Sequence, residues 1–346
     1  MSKICGLSMD YEVLTDTGWK KYRQIVPTDK IATLKNDKLV YDKIIDLNYW
    51  PNFSEKIVHI QTRQIELNVS TNKKIYVSRE SNGEWTPYES IQASNIIGKK
   101  IKFKKNAQWV MQEYQFMLPS IKDSISHETP SRLSQEWPTI VNMNAWIKFF
   151  GIWIVDGWLT HSVDEPYKIS IRVSKKNTQK IIETIIEVLC FNYDITEMKS
   201  SVIPENKIRI VNRQLYEYLI TIGLNAIDKH LPDWVWQLSS KQARMLLDTM
   251  ITDDNGYKTL FYTSSKQLAD DMMRLCLHAG VSGNIVSSIG FGITNDIYNV
   301  KINSDEPNSY DRKLIEETIV SCEPLFNIQL SSEIFYVRYN GKGMWI

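Results

Sequence analysis

Cysteine is scarce in this 346-residue chain: Cys5, Cys190, Cys276 and Cys322 lie far apart, with no CxxC pair among them. That spacing excludes a zinc ribbon or finger and fits free thiols in a reducing compartment. The five histidines, His59, His127, His161, His230 and His278, are equally dispersed, so no histidine-based metal cluster is expected. No run approaches the roughly 18 apolar residues of a membrane span, and the N-terminus lacks the apolar core of a signal peptide. The expected location is therefore intracellular, with no membrane partner. Net charge is nearly absent too: 41 Lys and Arg stand against 40 Asp and Glu, a balance that by itself selects no polyanionic partner.

The balance conceals an asymmetry. Residues 1–108 carry 18 Lys and Arg against 12 Asp and Glu, leaving 23 against 28 for the remainder. The basic part ends in Lys99-Lys100-Ile101-Lys102-Phe103-Lys104-Lys105, which reads either as an edge strand guarded by lysines or as a phosphate-tracking surface. From Tyr11 to about Lys105, short β-type runs such as Glu12–Thr15, Lys30–Leu34, Ile57–Ile60 and Lys74–Val77 alternate with turn signals such as Asn36-Asp37 and Ser81-Asn82-Gly83. An all-β domain of many short strands is expected there. Residues 106–143, with Pro119, Pro130 and Pro138, read as a linker.

Beyond the linker the pattern changes. Phe149-Phe150-Gly151-Ile152-Trp153-Ile154-Val155-Asp156-Gly157 is an apolar, helix-like run that ends on a carboxylate, beginning near Asn144 as N-cap and closed by a glycine suited to a left-handed terminus. A second copy, Leu246–Gly256, places Thr249 five residues before Asp254 as Gly151 stands five before Asp156. Each copy is followed by strand-like and helix-like segments in the same order. Tyr167–Ser174, Thr178–Cys190, Lys207–Val211 and Gln214–Gly223 follow the first; Leu260–Ser265, Lys266–Ala279 and Tyr298–Asn303 follow the second. Such a duplication implies a pseudo-twofold α/β domain, and superposing the copies sets Arg209 against Lys301.

The paired helix motifs, the strand–helix repeat and Lys229-His230-Leu231-Pro232-Asp233-Trp234-Val235 resemble the LAGLIDADG homing endonucleases of the intein-encoded type. The opening Cys5-Gly6-Leu7-Ser8-Met9-Asp10-Tyr11-Glu12-Val13-Leu14-Thr15 and the closing Leu325–Leu330 and Phe335–Trp345 resemble inteins and related Hint domains. Together these resemblances imply an α/β multidomain chain: a duplicated αββαββα endonuclease, pseudo-twofold, inserted into an all-β Hint-like domain. The expected boundaries are 1–105 and 319–346 for the Hint-like part, 106–143 for the linker and 144–318 for the endonuclease, with repeats of about 144–230 and 231–318.

The implied activity is Mg²⁺-dependent hydrolysis of double-stranded DNA at a long target, leaving 3′ overhangs, by a monomer. Asp156 and Asp254 would hold the metal, because two carboxylates at facing helix C-termini repel each other and disfavour the macrodipole unless a cation intervenes. Arg209 and Lys301 would stabilise the charge on the reacting phosphate. Arg172, Ser174, Lys175 and Lys176 in the first repeat, with Thr263, Ser264 and Lys266 in the second, would contact DNA. The Hint-like part departs from its family. Lys73 stands where the resemblance calls for a histidine, Asn327 where it calls for an acid or cysteine, and five residues rather than four separate Cys5 from Asp10. The chain also stops at Ile346 without a terminal asparagine. Cys5, Lys73 and Asn327 are therefore expected to be splicing relics in a domain that only assists DNA binding, since a protonated lysine cannot polarise a peptide as imidazole does. The alternatives are a protein-splicing intein and a DNA-binding module without cleavage.

Overall fold

The computed structural model describes residues 5–52, 56–121, 138–162, 166–173, 176–197, 206–253, 256–257, 259–289, 296–303, 309–310, 315–318 and 324–346. The chain forms two compact units. One comprises Met1–Val110, Met272–Ser287 and Asn299–Ile346; the other comprises Met111–Asp271 and Ser288–Tyr298. These limits differ from the sequence segments, which kept 144–318 together. Among the described residues, no helix is long and apolar enough to cross a membrane.

The first unit is built mainly of antiparallel sheet. Its strands are short because turn residues interrupt the chain every few positions. Asn36 and Asp37 take φ of +52° and +61°, and Asn340 and Gly341 take +47° and +76°. Positive φ at both central positions is the hairpin turn whose twist matches that of its strands, and these pairs join Lys30–Lys35 to Lys38–Lys43 and Tyr336–Tyr339 to Lys342–Trp345. The segment after residue 324 returns to the N-terminal strands. Leu7 pairs with Phe326 on one side and Val69 on the other, and Glu12 pairs with Arg338. Inward-facing Leu7, Val13, Val58, Leu67, Val69, Phe326, Phe335 and Val337 form one core. On the other face of the same strand pair, Arg338 is only 1% exposed and makes a bidentate bond to Glu12, Nε–Oε2 2.6 Å and Nη2–Oε1 2.8 Å.

The Lys99–Lys105 run is not an edge. Ile101–Phe103 pairs on one side with Lys74–Ser81 and on the other with Ser309–Tyr310. Nor do its lysines form one cationic track. Lys100 pairs with Glu80 at 2.8 Å and Lys104 with Asp37 at 3.4 Å, while Lys105 is buried, donating to the Gln64 carbonyl at 3.0 Å and to Asn284 Oδ1 at 2.8 Å.

The second unit contains helices α1 (Met143–Asp156), α2 (Lys176–Val188), α3 (Arg213–Ile220) and α4 (Ser240–Ile251), with α5 (Lys266–His278) beginning in it. A four-stranded antiparallel sheet has the order Gly157–Thr160, Lys168–Val173, Asn206–Val211, Tyr193–Glu197. The α1 helix starts one residue before the expected cap: Asn142 is the N-cap, its side chain accepting from the Ala145 amide at 3.0 Å. Nearly all round, α1 is apolar, and Trp146, Ile147, Phe149, Phe150, Trp153 and Ile154 are buried, as befits a helix enclosed on most sides.

Candidate functional site

Two features fix where the α1 carboxylate sits. The first is the crossing with α4. A Cβ added to Gly151 would lie 2.8 Å from Thr249 Cγ2 and 3.3 Å from Leu246 Cδ1, so the glycine is what lets these helices approach. Thr249 fits because its hydroxyl donates back to the Met245 carbonyl at 2.7 Å. That bond satisfies the polar atom inside its own helix and leaves the methyl for the contact.

The second feature is the end of α1. Gly157 was expected to be left-handed; instead it is extended, with φ −96° and ψ 156°, and opens the strand Gly157–Thr160 directly. Glycine is needed for space rather than for φ, since a Cβ there would collide with the Trp153 ring and carbonyl. The orphan carbonyls of the last turn are met by the lysine that opens the Lys229–Val235 segment. Buried Lys229 directs its Nζ at the carbonyls of Ile154 and Gly157, both 2.8 Å, and of Trp153, 3.2 Å. A cation at a helix C-terminus complements the macrodipole and offsets part of the penalty on placing exposed Asp156 there. Burial lowers the Lys229 pKa to about 8, and the Asp156 charge opposes that fall. Ser265, which caps α5 by accepting from the Leu268 amide at 3.1 Å, donates to the Lys229 carbonyl at 2.6 Å and helps hold the lysine's backbone.

From Asp156 the chain runs straight into the sheet. In an antiparallel pair, directly opposed residues share a face. Ser170 opposes both Trp158 and Arg209, Arg172 opposes Lys207, Lys168 opposes Thr160 and Val211, and Arg209 opposes Asp194. One face therefore gathers Lys168, Arg172, Lys207 and Arg209, with Trp158 and Thr160 on the strand that begins beside the carboxylate. Its opposite, with Ile169, Ile171, Ile208 and Ile210, is buried.

The other expected site residues fall in varied places. Arg209 is already engaged, making a bidentate pair with Asp194 at 2.8 Å (Nε–Oδ1) and 2.7 Å (Nη2–Oδ2). Lys301 lies in the strand Asp296–Asn303 and belongs to the first unit, half-buried. Asp254, Ser174 and Lys175 lie outside the described residues, and Lys176 opens α2 with only its backbone described. Thr263 accepts from the Ser265 amide at 3.0 Å, Lys266 pairs with Asp270 at 2.6 Å, and Ser264 is half-buried between them. The sheet face that bears Arg172 and Arg209 also carries Trp158, Thr160, Lys168 and Lys207, which lie outside the expected DNA-contacting set; the period-2 alternation of Lys168–Val173 and Lys207–Val211 is the sequence signal for them.

No group of three or more His, Cys, Asp or Glu side chains converges as a ready-made metal cage among the described residues. Asp156 nevertheless suits Mg²⁺, which is held by one or two carboxylates and keeps most of its waters. The carbonyls beside it are already taken by Lys229.

In the first unit, Cys5, Lys73 and Asn327 come together. The Cys5 thiol donates to the Asn72 carbonyl at 3.3 Å, and buried Lys73 donates to Asn327 Oδ1 at 2.9 Å with its Nζ 4.7 Å from the centre of the Phe335 ring. Asn327 is placed by the register that sets Leu7 against Phe326.

No family model matches the chain. It is 32% identical over 407 aligned positions to a DNA-directed RNA polymerase subunit beta C-terminal section of Stigeoclonium helveticum, covering 99% of this chain and 36% of that protein. It is 31% identical over 297 positions to an ATP-dependent Clp protease proteolytic subunit of Chlamydomonas moewusii, covering 81% and 28%. The chain thus spans about a third of the length of these curated relatives. Among solved structures, the homing endonuclease I-DmoI in complex with DNA and Mn is 14% identical, covers 47% of this chain and 91% of its own, and has a TM-score of 0.36. I-WcaI bound to its DNA recognition sequence and the N-terminal LAGLIDADG domain of DUF199/WhiA are each 9% identical, with TM-scores of 0.32, cover 47% of this chain, and cover 77% and 78% of their own. At these scores the functional reading rests on the geometry described above.

Proposed function

We propose that the second unit is the core of a LAGLIDADG-type homing endonuclease that hydrolyses double-stranded DNA with Mg²⁺ at a long target, leaving 3′ overhangs, and acts as an intracellular monomer. The observation that carries this reading is the delivery of Asp156, by a helix crossing at Gly151 and Thr249, to the edge of a sheet face bearing Lys168, Arg172, Lys207 and Arg209. Cationic and polar side chains alternating on antiparallel strands can follow phosphates and reach base edges in the major groove. The partner helix α4 ends at Ile251, three residues before Asp254, so both motif acids follow or end crossing helices. A bound Mg²⁺ would polarise the scissile phosphate and lower the pKa of a water. The chain's own part is to hold Asp156 fixed, with Lys229 keeping the helix end closed and Arg209 as the candidate cation of this unit for the reacting phosphate.

The relatives support a segment that travels independently of its surroundings. Two proteins named for unrelated activities, a polymerase section and a protease subunit, align with this same chain over about a third of their length. What they share is then the machinery of neither.

The decisive experiment is digestion of a randomised duplex library with Mg²⁺, sequencing the ends, with Asp156→Asn in parallel. Discrete cuts by the native chain and none by the variant are expected. A native chain that leaves the library intact, or a variant that cuts it equally well, removes the assignment.

A further inference from the structure

The last turn of α1 is gripped by a segment that other parts of the second unit hold in turn. Three consecutive residues, Lys229, His230 and Leu231, each bond a different element. The Lys229 ammonium takes the carbonyls of Trp153, Ile154 and Gly157 at the end of α1. The His230 amide donates to the Ile222 carbonyl at 3.1 Å, in the loop after α3, and the Leu231 amide donates to Asp271 Oδ2 at 2.8 Å, on α5. A second hold comes from the cap of α5, where Ser265 Oγ donates to the Lys229 carbonyl at 2.6 Å. Both anchors are buried, Ser265 at 0% and Asp271 at 6% exposed, and the other Asp271 oxygen accepts from Gln267 Nε2 at 3.0 Å. On the side of the α3 loop, a Cβ on Gly223 would lie 2.7 Å from the Lys229 nitrogen, so the two backbones touch. All of these residues belong to the second unit.

Closing a helix does not require a buried cation. A left-handed glycine does it from within the chain, whereas enclosing an ammonium sacrifices its hydration. What the lysine adds is reach, because its carbonyl partners lie 72 to 76 positions away. The far side of the segment is held as firmly, since a carboxylate that accepts a backbone N–H makes a charge-assisted bond, shorter and stronger than a neutral one.

We propose that Ser265 and Asp271 are positioning residues for Asp156: through the strap Lys229–Leu231, the start of α5 sets where the last turn of α1, and with it the carboxylate, stands. The role of Asp156 rests on the endonuclease reading; the coupling needs neither metal nor DNA. A displacement of about 1 Å at a reacting group can cost roughly 100-fold in rate. Loosening the strap should therefore slow the reaction and leave the DNA contacts of Lys168, Arg172 and Lys207 as they are.

The test begins without metal, as amide hydrogen exchange on the full chain. Asp271→Ala should speed exchange at residues 153–158 by roughly 10-fold, the scale of one lost hydrogen bond, while the amides of Ile169–Val173 keep their native rates. Asp271→Asn, which retains an acceptor for the Leu231 amide, should stay near native. Where Asp271→Ala fails to fold, Ser265→Ala carries the same comparison. Cleavage with Mg²⁺ then reads the consequence: kcat should fall by roughly 100-fold in Asp271→Ala, with DNA affinity measured without metal unchanged and most of the rate restored in Asp271→Asn. Native exchange at 153–158 in both alanine variants overturns the proposal, and so does faster exchange there with an unchanged kcat. A native chain that cuts nothing removes the endonuclease reading instead, and the exchange rates still decide the coupling.

Discussion

Two buried lysines, one in each unit, share a pKa lowered to about 8 and differ in what surrounds the amine. Lys229 faces three backbone carbonyls at the end of α1 and the charge of Asp156. Lys73 faces one amide oxygen and a ring, with burial lowering its pKa and the Glu333 charge opposing that fall. Hydrogen bonds to the charged form favour it, and Lys229 makes three of them to backbone carbonyls where Lys73 makes one to Asn327. The same residue type therefore closes a helix in one place and ties the turn after Ser70 to the strand Leu325–Gln329 in the other. Burial alone does not decide which; the acceptors do.

The comparison can be broken at several points, the largest effect first. Asp156→Asn should lower double-strand cleavage by roughly 1000-fold, the scale of losing a group that acts on charge developed in the transition state, while a gel-shift without metal shows binding retained. Lys229→Met should cost about 2–3 kcal/mol, because it leaves buried carbonyls unmet; urea unfolding reads this, and an unchanged midpoint would mean that the three bonds are incidental. Gly151→Val should cost about 1–3 kcal/mol from overpacking against Thr249, and pairing it with Thr249→Ala should recover part of that.

The lysines also set a pH signature. Lys73, Lys105 and Lys229 all have folded pKa values below that of the unfolded chain, Lys105 at about 7. The unfolded state then binds more protons between about 7 and 10, and stability should rise with pH across that window. Tyr11, Tyr41 and Tyr336 have raised values because they are buried, so the folded state keeps protons that the unfolded chain loses above about 10, and stability should fall there. Urea midpoints from pH 6 to 11 should show a maximum on the alkaline side; a maximum at neutral pH would contradict the directions given. The smallest effect is at the half-exposed pair: Asp194→Asn should release Arg209 and tighten DNA binding by less than about 1 kcal/mol, measured by salt titration.

Local patterns made part of this legible. The strand Glu12–Thr15 and the hairpin turn at Asn36-Asp37 match the β reading, and the end of α1 at Asp156 and the small residues at 151 and 249 match the helix reading. Each depends on neighbours a few positions away. Lys99–Lys105 misled because alternation cannot tell an edge from a strand paired on both sides, and Ile101–Phe103 gains its second partner from residues about 200 positions further on. Gly157 misled because a helix can end by opening a strand as well as by turning left-handed.

The sequence by itself determined where elements start and stop and which side chains could carry chemistry: the acids after apolar helices, the thiol before a strand, the alternating cations of Lys168–Arg172. Only the tertiary structure decided what those groups experience. The Lys229 clamp joins residues 72 to 76 positions apart, and the Lys73–Asn327 bond joins residues 254 apart. Burial and hydrogen-bond partners are properties of the space around an atom, and no local window of residues contains that space. That is why a lysine that reads as a fixed positive charge along the chain becomes, once enclosed, either the clamp on a helix end or a link between distant strands.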